Sequence, residues 1–298
     1  MVAPARKPNW FKINRLAVGE RASSVLQTIA RNDLHTVCTS ARCPNKGSCF
    51  AEGTATFMIL GDVCTRACRF CDIATGRPGA EDLLEAERLA NAAAAMGLRF
   101  VVVTSVCRDD LPDEGAGAFA RTITALKARI PSVRIEVLTP DFSGRRECLR
   151  TVLDAAPDVF NHNLETVERL TPRIRSKARY NRSLEVLSAA RDMAPGIPTK
   201  SGLMVGLGES RDELVQAFRD LAGAGVQRLT LGQYLQPSRR HHPVIRYYEP
   251  QEFQELAAEA KAAGIRAVLS GPLVRSSYHA GTFADSFEEV PAGSHSSV

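Results

Sequence analysis

Three cysteines, Cys64, Cys68 and Cys71, are the residues of this chain best placed to do chemistry. Their C-x3-C-x2-C spacing lets three thiolates bind one iron–sulfur cluster from a single loop. A four-iron cluster with three protein ligands keeps one iron open, and a small molecule can bind that iron and receive an electron. The spacing therefore predicts a redox cluster with one open coordination position.

The alternative is that these cysteines form an apolar stripe, because their spacing also matches one face of a helix. Against this, residues 56–61 read as a short buried strand that ends at Gly61, which places the cysteines in the loop that follows. Arg66 and Arg69 between them predict an electropositive pocket that favours thiolates. We therefore favour cluster binding over core packing.

A second triplet, Cys38, Cys43 and Cys49, precedes the predicted strand. Pro44 and Gly47 lie between its members and predict a ligand-presenting loop without regular helix. Zinc is the alternative ligand, but zinc sites typically pair two short C-x-x-C-like motifs, and gaps of four and five residues fit that pattern poorly. Two triplets separated by one strand predict two separate clusters.

The composition predicts one large domain with a substantial core, since the 298 residues are 44% hydrophobic and 24% charged. No apolar run approaches the length of about 20 residues that spans a membrane, and residues 1–12 lack the apolar core of a secretory signal. We therefore expect a cytoplasmic protein without a membrane partner, whose eight cysteines serve metal or catalysis rather than disulfides. The net charge of +5 permits an acidic protein partner and gives no reason to expect nucleic acid.

Apolar, valine-rich segments alternate with helical patterns from residue 55 onward. This alternation predicts an α/β fold with a parallel sheet covered on both faces, and six such units predict a partial (β/α)6 barrel. The predicted strands are 56–60, 100–104, 133–138, 159–163, 199–205 and 228–232. The predicted helices are 81–96, 116–129, 146–155, 183–192, 211–223 and 252–263, with one more at 23–32 in an N-terminal arm. The tail from Gly281 is predicted to be mobile.

Polar side chains cluster where predicted strands end, which is where parallel barrels place their sites. Asn161, Asn163 and Glu165 either hold a ligand there or, for the two asparagines, cap a helix. Lys200 is either a buried cation with a carboxylate partner or a ligand contact.

The pair Asp109-Asp110 and the two remaining cysteines have ordinary structural interpretations. Asp109 and Asp110 can cap a helix, organise Arg108 or contact a ligand, and we favour organisation. Cys107 and Cys148 are predicted to be ordinary buried thiols.

The segment 64–71, including Phe70, resembles the signature of the radical S-adenosylmethionine (SAM) superfamily. Residues 202–209, GLMVGLGE, also follow the G-x-[IVLM]-x-G-x-x-E pattern of the fifth strand of that superfamily. The resemblance implies that SAM binds the open iron and that one electron cleaves it to a 5′-deoxyadenosyl radical. It further implies SAM contacts from Asn163, Glu165 and Met204, with Met204 against the adenine.

From about residue 8 to residue 280, the chain resembles the lipoyl synthase family. Both cysteine triplets carry the resemblance, together with RSSY at 275–278, NHNLETV, TKSGLMVGLGE and LTLGQYLQPSRRH. It implies an auxiliary [4Fe–4S] cluster on Cys38, Cys43, Cys49 and Ser277, with Ser276 as the alternative to Ser277. It implies a SAM [4Fe–4S] cluster on Cys64, Cys68 and Cys71. Two places are less typical, Cys107 and the Gly47-Ser48 pair, and neither removes a ligand.

The implied activity is insertion of two sulfur atoms at C6 and C8 of an octanoyl chain on a carrier-protein lysine, with the auxiliary cluster as sulfur donor. The implied carriers are lipoyl domains of 2-oxoacid dehydrogenase E2 subunits and the glycine cleavage H protein, and the implied electron donor is a ferredoxin or flavodoxin. Arg239, Arg240, His241 and His242 are expected either to steer an acidic carrier or to form a solvated rim.

Two alternatives remain at this point: another radical SAM sulfur-inserting enzyme (biotin-synthase-like or a methylthiotransferase), and a zinc-binding module. The first should lack the paired CTSARCPNKGSC and RSSY motifs. The expected organisation is an N-terminal extension with the auxiliary cysteines (1–53), a barrel (54–264) and a C-terminal segment with RSSY (265–298).

Overall fold

An open sheet of eight strands forms the centre of the computed structural model, which describes residues 7–11, 20–41, 43–51 and 55–285. The strands are β1 (His35–Thr36), β2 (Thr56–Ile59), β3 (Val63–Cys64), β4 (Ala74–Thr75), β5 (Phe100–Ser105), β6 (Arg134–Leu138), β7 (Val159–Asn161), β8 (Thr199–Val205), β9 (Arg228–Gln233) and β10 (Ala267–Gly271). The helices are α1 (Glu20–Arg31), α2 (Val37–Ser40), α3 (Lys46–Ala51), α4 (Glu85–Ala95), α5 (Ala116–Arg129), α6 (Arg146–Asp154), α7 (Thr171–Ile174), α8 (Tyr180–Met193), α9 (Arg211–Gly223), α10 (Pro250–Ala262) and α11 (Ala280–Asp285).

The large sheet runs in the order β1-β2-β5-β6-β7-β8-β9-β10. Neighbours from β2 to β10 pair in parallel, and β1 pairs antiparallel with β2 at one edge. Val101, Val102 and Val103 of β5 are fully buried, as expected for a parallel strand covered on both faces. The predicted α/β fold is confirmed, and the sheet contains β1 and β10 in addition to the six strands predicted for the barrel; residues 267–269 of β10 are also predicted as an apolar strand.

Element ends differ from the prediction where side chains bond the backbone. Helix α4 begins at Glu85 rather than residue 81, because Asp82 Oδ1 accepts a hydrogen bond from the Leu84 amide and forms a turn. The Glu85 carboxylate then accepts a hydrogen bond from the Leu60 amide at 2.7 Å, which ties the helix to the end of β2.

A buried ion pair lies inside the barrel, where Lys200 Nζ is 2.8 Å from both carboxylate oxygens of Glu136. Both side chains are 1% exposed, and Asn161 Nδ2 donates to the same carboxylate at 2.9 Å. Of the two alternatives for Lys200, the structure therefore confirms the buried cation with a carboxylate partner. Asn161 also points into this pair and caps no helix.

Helix α11 covers the end of the barrel opposite the cysteines. The ring of Phe283 lies 5.6 Å from Lys200 Nζ, and Arg228 donates to the carbonyl of Ala284. The prediction of a mobile tail is therefore wrong for residues 281–285, because these packing contacts order them as a helix. Residues 286–298 of that tail lie outside the described part of the chain.

Among the described residues, no helix is long and apolar enough to cross a membrane.

Candidate active site

A cavity of about 560 Å³ opens at the C-terminal ends of the parallel strands. Residues from both cysteine loops and from the RSSY segment line it. They are Cys38, Cys43, Cys49, Cys64, Cys68, Cys71, Ser276 and Ser277. The structure thus brings together in one cavity the metal-ligand candidates that the sequence separates by more than 200 positions.

The central cysteine loop is held by backbone bonds to two neighbouring loops. The Thr65 amide donates to the carbonyl of Cys107 at 3.1 Å, and the Arg69 amide donates to Ile174 at 2.8 Å. Cys64 ends β3, whose parallel pairing with β4 closes the loop. The three thiols therefore lie in a loop after a buried strand, as predicted, and not on one helix.

Cys64 is surrounded by hydrogen-bond donors. The amides of Cys107 and Arg66 lie 3.3 Å and 3.4 Å from its Sγ. The Cys107 thiol, more than any other group, lowers the pKa of Cys64 to about 6. The prediction that Cys107 is an ordinary buried thiol is wrong, since it is half-buried and lines the cavity, whereas Cys148 is buried as predicted.

The charges around the central cysteines differ from the electropositive pocket that Arg66 and Arg69 predict. Arg66 is bound by Asp109 at 2.7 Å and by Asp141 at 2.8 Å, so its charge is compensated, and Arg69 is exposed. Burial raises the pKa of Cys68, and the cation that opposes this rise is Arg175. Directed hydrogen bonds therefore favour the thiolate at Cys64, whereas burial opposes it at Cys68.

Two members of the first triplet lie on short helices and Cys43 lies between those helices, so the prediction of a loop without regular helix is wrong for Cys38 and Cys49. Cys38 lies on α2, which Thr36 caps by accepting the Thr39 amide, and Cys49 lies on α3. Pro44 falls between these helices, where its missing N–H costs nothing, and Gly47 within α3 costs only about 1 kcal/mol.

The side-chain arrangement does not suit one metal ion. Within the described ranges, no three His, Cys, Asp or Glu side chains lie close enough together to hold a single ion. A four-iron cluster places each thiolate on a different iron, so its ligands are spread more widely than those of zinc. The two triplets therefore fit clusters better than a zinc module.

The RSSY segment lines the cavity and lies beside the first cysteine loop. Asn45 Nδ2 donates to the carbonyl of Leu273 at 2.7 Å. Arg275 is half-buried in this region; burial lowers the pKa of its guanidinium, and the charge of Cys43 opposes that shift. A Cβ on Gly232 would collide with the carbonyl of Val274, so the glycine permits the segment to approach the end of β9.

Asn163, Glu165 and Met204 all line the same cavity, on the side of the central cysteine loop. Asn163 caps no helix; its Nδ2 donates to Glu165 Oε1 at 3.0 Å and its buried Oδ1 has no hydrogen-bond partner in the described residues. Burial raises the pKa of Glu165. An open acceptor and a carboxylate beside three thiols fit a ligand that carries hydroxyl or ammonium donors, as SAM does.

The remaining polar candidates are structural. Asp110 binds Arg108 at 2.9 Å, as predicted, but Asp109 organises Arg66 instead. Glu209 accepts the amides of Gly206 and Leu207, which closes the turn after β8.

Two histidines hold the central loop, a role that the sequence did not predict. His241 Nε2 donates to the carbonyl of Cys71 at 3.0 Å, and the His242 amide donates to the carbonyl of Arg69 at 2.9 Å. Arg239 and Arg240 beside them are exposed. The four-residue basic cluster therefore divides into two histidines that support the loop and two arginines that face solvent.

Arg175 was also missed, because its neighbours in sequence carry no motif. It is buried, lines the cavity, and donates to Ser183 Oγ at 2.8 Å, and Ser183 in turn is 3.0 Å from His162 Nε2. Only the fold places it beside Cys68.

The model of the radical SAM superfamily matches residues 58–221. The chain therefore belongs to that superfamily, whose members bind SAM and a [4Fe–4S] cluster. Lipoyl synthase of Methylococcus capsulatus is 56% identical over 93% of this chain and 86% of its own length. Lipoyl synthase of Bacillus cereus is 52% identical over 97% of both chains. Within the superfamily, the chain belongs to the lipoyl synthase family of enzymes.

Solved structures support the fold alone. Methylornithine synthase superposes with a TM-score of 0.54 at 13% identity, over 71% of this chain and 69% of its own. Coproporphyrinogen III oxidase from Escherichia coli, a radical SAM enzyme, gives a TM-score of 0.52 at 14% identity over 70% and 52%.

Proposed function

We propose that this chain inserts two sulfur atoms, at C6 and C8, into an octanoyl chain bound to a lysine of a carrier protein. The observation that carries the proposal is that both cysteine triplets and the RSSY serines line one cavity. A radical source and a sulfur source must both reach the same carbon, and a shared cavity gives both access.

Cys64, Cys68 and Cys71 would hold the SAM cluster, with Asn163, Glu165 and Met204 around SAM. Cys38, Cys43, Cys49 and Ser277 would hold a second, auxiliary [4Fe–4S] cluster. When bound, SAM and its cluster supply the radical that removes hydrogen, and the auxiliary cluster supplies the sulfur.

The residues of this chain position these groups and exclude water. Asp109 and Asp141 fix Arg66, while His241 fixes the carbonyl of Cys71, so the central loop is held from two sides. The cavity wall includes apolar side chains such as Met58 and Val106, which suit an alkyl chain and keep water from a radical.

An anaerobic assay tests the function directly. Reconstituted protein, SAM and a reductant are incubated with an octanoylated carrier peptide, and the peptide is followed by mass spectrometry. Addition of two sulfur atoms to the octanoyl group supports the proposal. Methylthio addition, or sulfur insertion into another substrate only, contradicts it.

Ser277 is expected to be the most labile auxiliary ligand, because a hard alkoxide oxygen matches iron–sulfur chemistry less well than thiolate. Ser276 Oγ already accepts a 2.6 Å hydrogen bond from Asn163, which leaves Ser277 as the better candidate. We expect Ser277→Cys to assemble its cluster but to slow sulfur insertion by about 10-fold or more, with SAM cleavage little changed. Full sulfur insertion in both Ser277→Cys and Ser277→Ala would move the ligand to Ser276 or remove serine ligation.

The exposed Arg239 and Arg240 suit an acidic carrier domain, since they closely follow Gln236 and Pro237, which line the cavity. We expect the double variant Arg239→Gln/Arg240→Gln to associate with the carrier about 3- to 10-fold more slowly at low salt. The difference from the unaltered protein should shrink above 0.1 M salt, where the Debye length is about 10 Å. The matched control is Arg129→Gln/Lys261→Gln, which removes two charges at the C-terminal ends of α5 and α10. Equal rates for the two double variants would contradict steering by this pair.

A further inference from the structure

The side-chain amide of Asn163 joins two parts of the site that are far apart in sequence. Its Nδ2 lies 3.0 Å from Glu165 Oε1 and 2.6 Å from Ser276 Oγ, a residue 113 positions away. Glu165 belongs to the group around SAM, and Ser276 directly precedes Ser277. One planar amide therefore bonds both cofactor regions.

The oxygen of this amide is buried at the cavity wall without a hydrogen-bond partner in the described part of the chain. Asn163 is 7% exposed. Oδ1 lies 2.7 Å from the place that a Cβ on Gly202 would occupy, and Gly202 lines the cavity. A buried acceptor without a partner destabilises the protein, so a donor from a bound molecule would be favoured there.

Backbone contacts fix the N-terminal part of the segment that carries Ser276. Leu273 accepts from Asn45, and Val274 packs against Gly232 at the end of β9. Ser276 comes two residues later, and its bond to Asn163 is a side-chain contact between this segment and the end of β7. The strength of that bond therefore influences where Ser277 lies.

We propose that Asn163 is a positioning residue that couples SAM binding to the placement of Ser277. A hydroxyl or ammonium donor of SAM at Oδ1 polarises the amide, and a polarised amide donates more strongly from Nδ2 to Ser276. Ser277 is then held in place at the auxiliary site while SAM is bound. By linkage, an ordered serine pair raises the affinity for SAM by the same factor.

The coupling rests on the proposed function, because it requires SAM beside Asn163 and Ser277 at the auxiliary cluster. Amide hydrogen exchange of peptide 272–279, measured on reconstituted protein with and without SAM, tests it apart from turnover. We expect SAM to slow exchange about 3- to 10-fold in the unaltered protein and to have no effect in Ser276→Ala. We expect the dissociation constant for SAM to rise by a similar factor in Ser276→Ala, as one hydrogen bond predicts.

A matched pair separates the hydroxyl from the packing around it. Ser276→Thr keeps the hydroxyl and is expected to keep the SAM effect, whereas Ser276→Val has nearly the same shape and is expected to lose it. This pair also decides the question if Ser276→Ala does not fold. If SAM slows exchange equally in Ser276→Thr and Ser276→Val, the coupling is overturned.

The coupling and the proposed function fail in different ways. If the unaltered protein binds SAM and inserts sulfur, but exchange at 272–279 does not respond to SAM, the coupling is wrong and the function stands. If the unaltered protein does not bind SAM, the proposed function is wrong and the coupling falls with it.

Discussion

We expect Cys68→Ala to lose about half of the iron of the reconstituted protein and essentially all SAM cleavage. Two cubane clusters correspond to about eight iron atoms per chain, and removal of one ligand from the central loop should leave about four. Without that cluster, no open iron is available for SAM, so 5′-deoxyadenosine formation should fall by more than about 100-fold. Loss of a residue that only supports a ligand lowers activity by about 10- to 100-fold. Iron analysis and chromatography of 5′-deoxyadenosine measure both quantities.

The control for Cys68→Ala is Cys148→Ala, which removes a buried thiol outside the cavity. It should retain about eight iron atoms and normal SAM cleavage. SAM cleavage that survives Cys68→Ala would contradict the assignment of the central loop.

The second large effect is expected from Cys43→Ala, which separates the two clusters. Cys43 lies beside Arg275 and belongs to the first triplet, not to the central loop, so its loss should leave the SAM cluster intact. We therefore expect 5′-deoxyadenosine to form at a rate within about twofold of the unaltered protein, while sulfur insertion vanishes because the sulfur source is gone.

The assay for Cys43→Ala contains no added sulfide, since free sulfide could substitute for the cluster. Retained lipoyl formation under that condition would show that the first triplet is not the sulfur donor. Parallel loss of SAM cleavage would show that the two sites do not assemble independently.

The sequence predicted the sheet well because each strand carries its own signal. Residues 100–103 form an apolar run bounded by Arg99 and Thr104, and such a run needs no distant information to be recognised. The edge strand β1 was missed because it has two residues, His35 and Thr36, and is defined by its pairing with β2.

The ligand residues were predicted from spacing, but their surroundings were not. Cys107 appeared inert because a single cysteine after a strand carries no pattern, and only the fold places it against Cys64. Likewise, Pro44 suggested a loop, although a proline between two short helices interrupts neither. Contacts such as that of His241 with Cys71 span 170 positions and leave no local signal.

The contact between Asn45 and Leu273 has a consequence for how the protein is made. These residues are 228 positions apart. Chains grow at about 5–20 residues per second, so the first cysteine loop waits roughly 10–50 s after its synthesis before its C-terminal partner exists. During that interval the first cysteine loop lacks its contact with Leu273. We therefore expect the loop to reach its final arrangement only near the end of synthesis, when residue 273 docks.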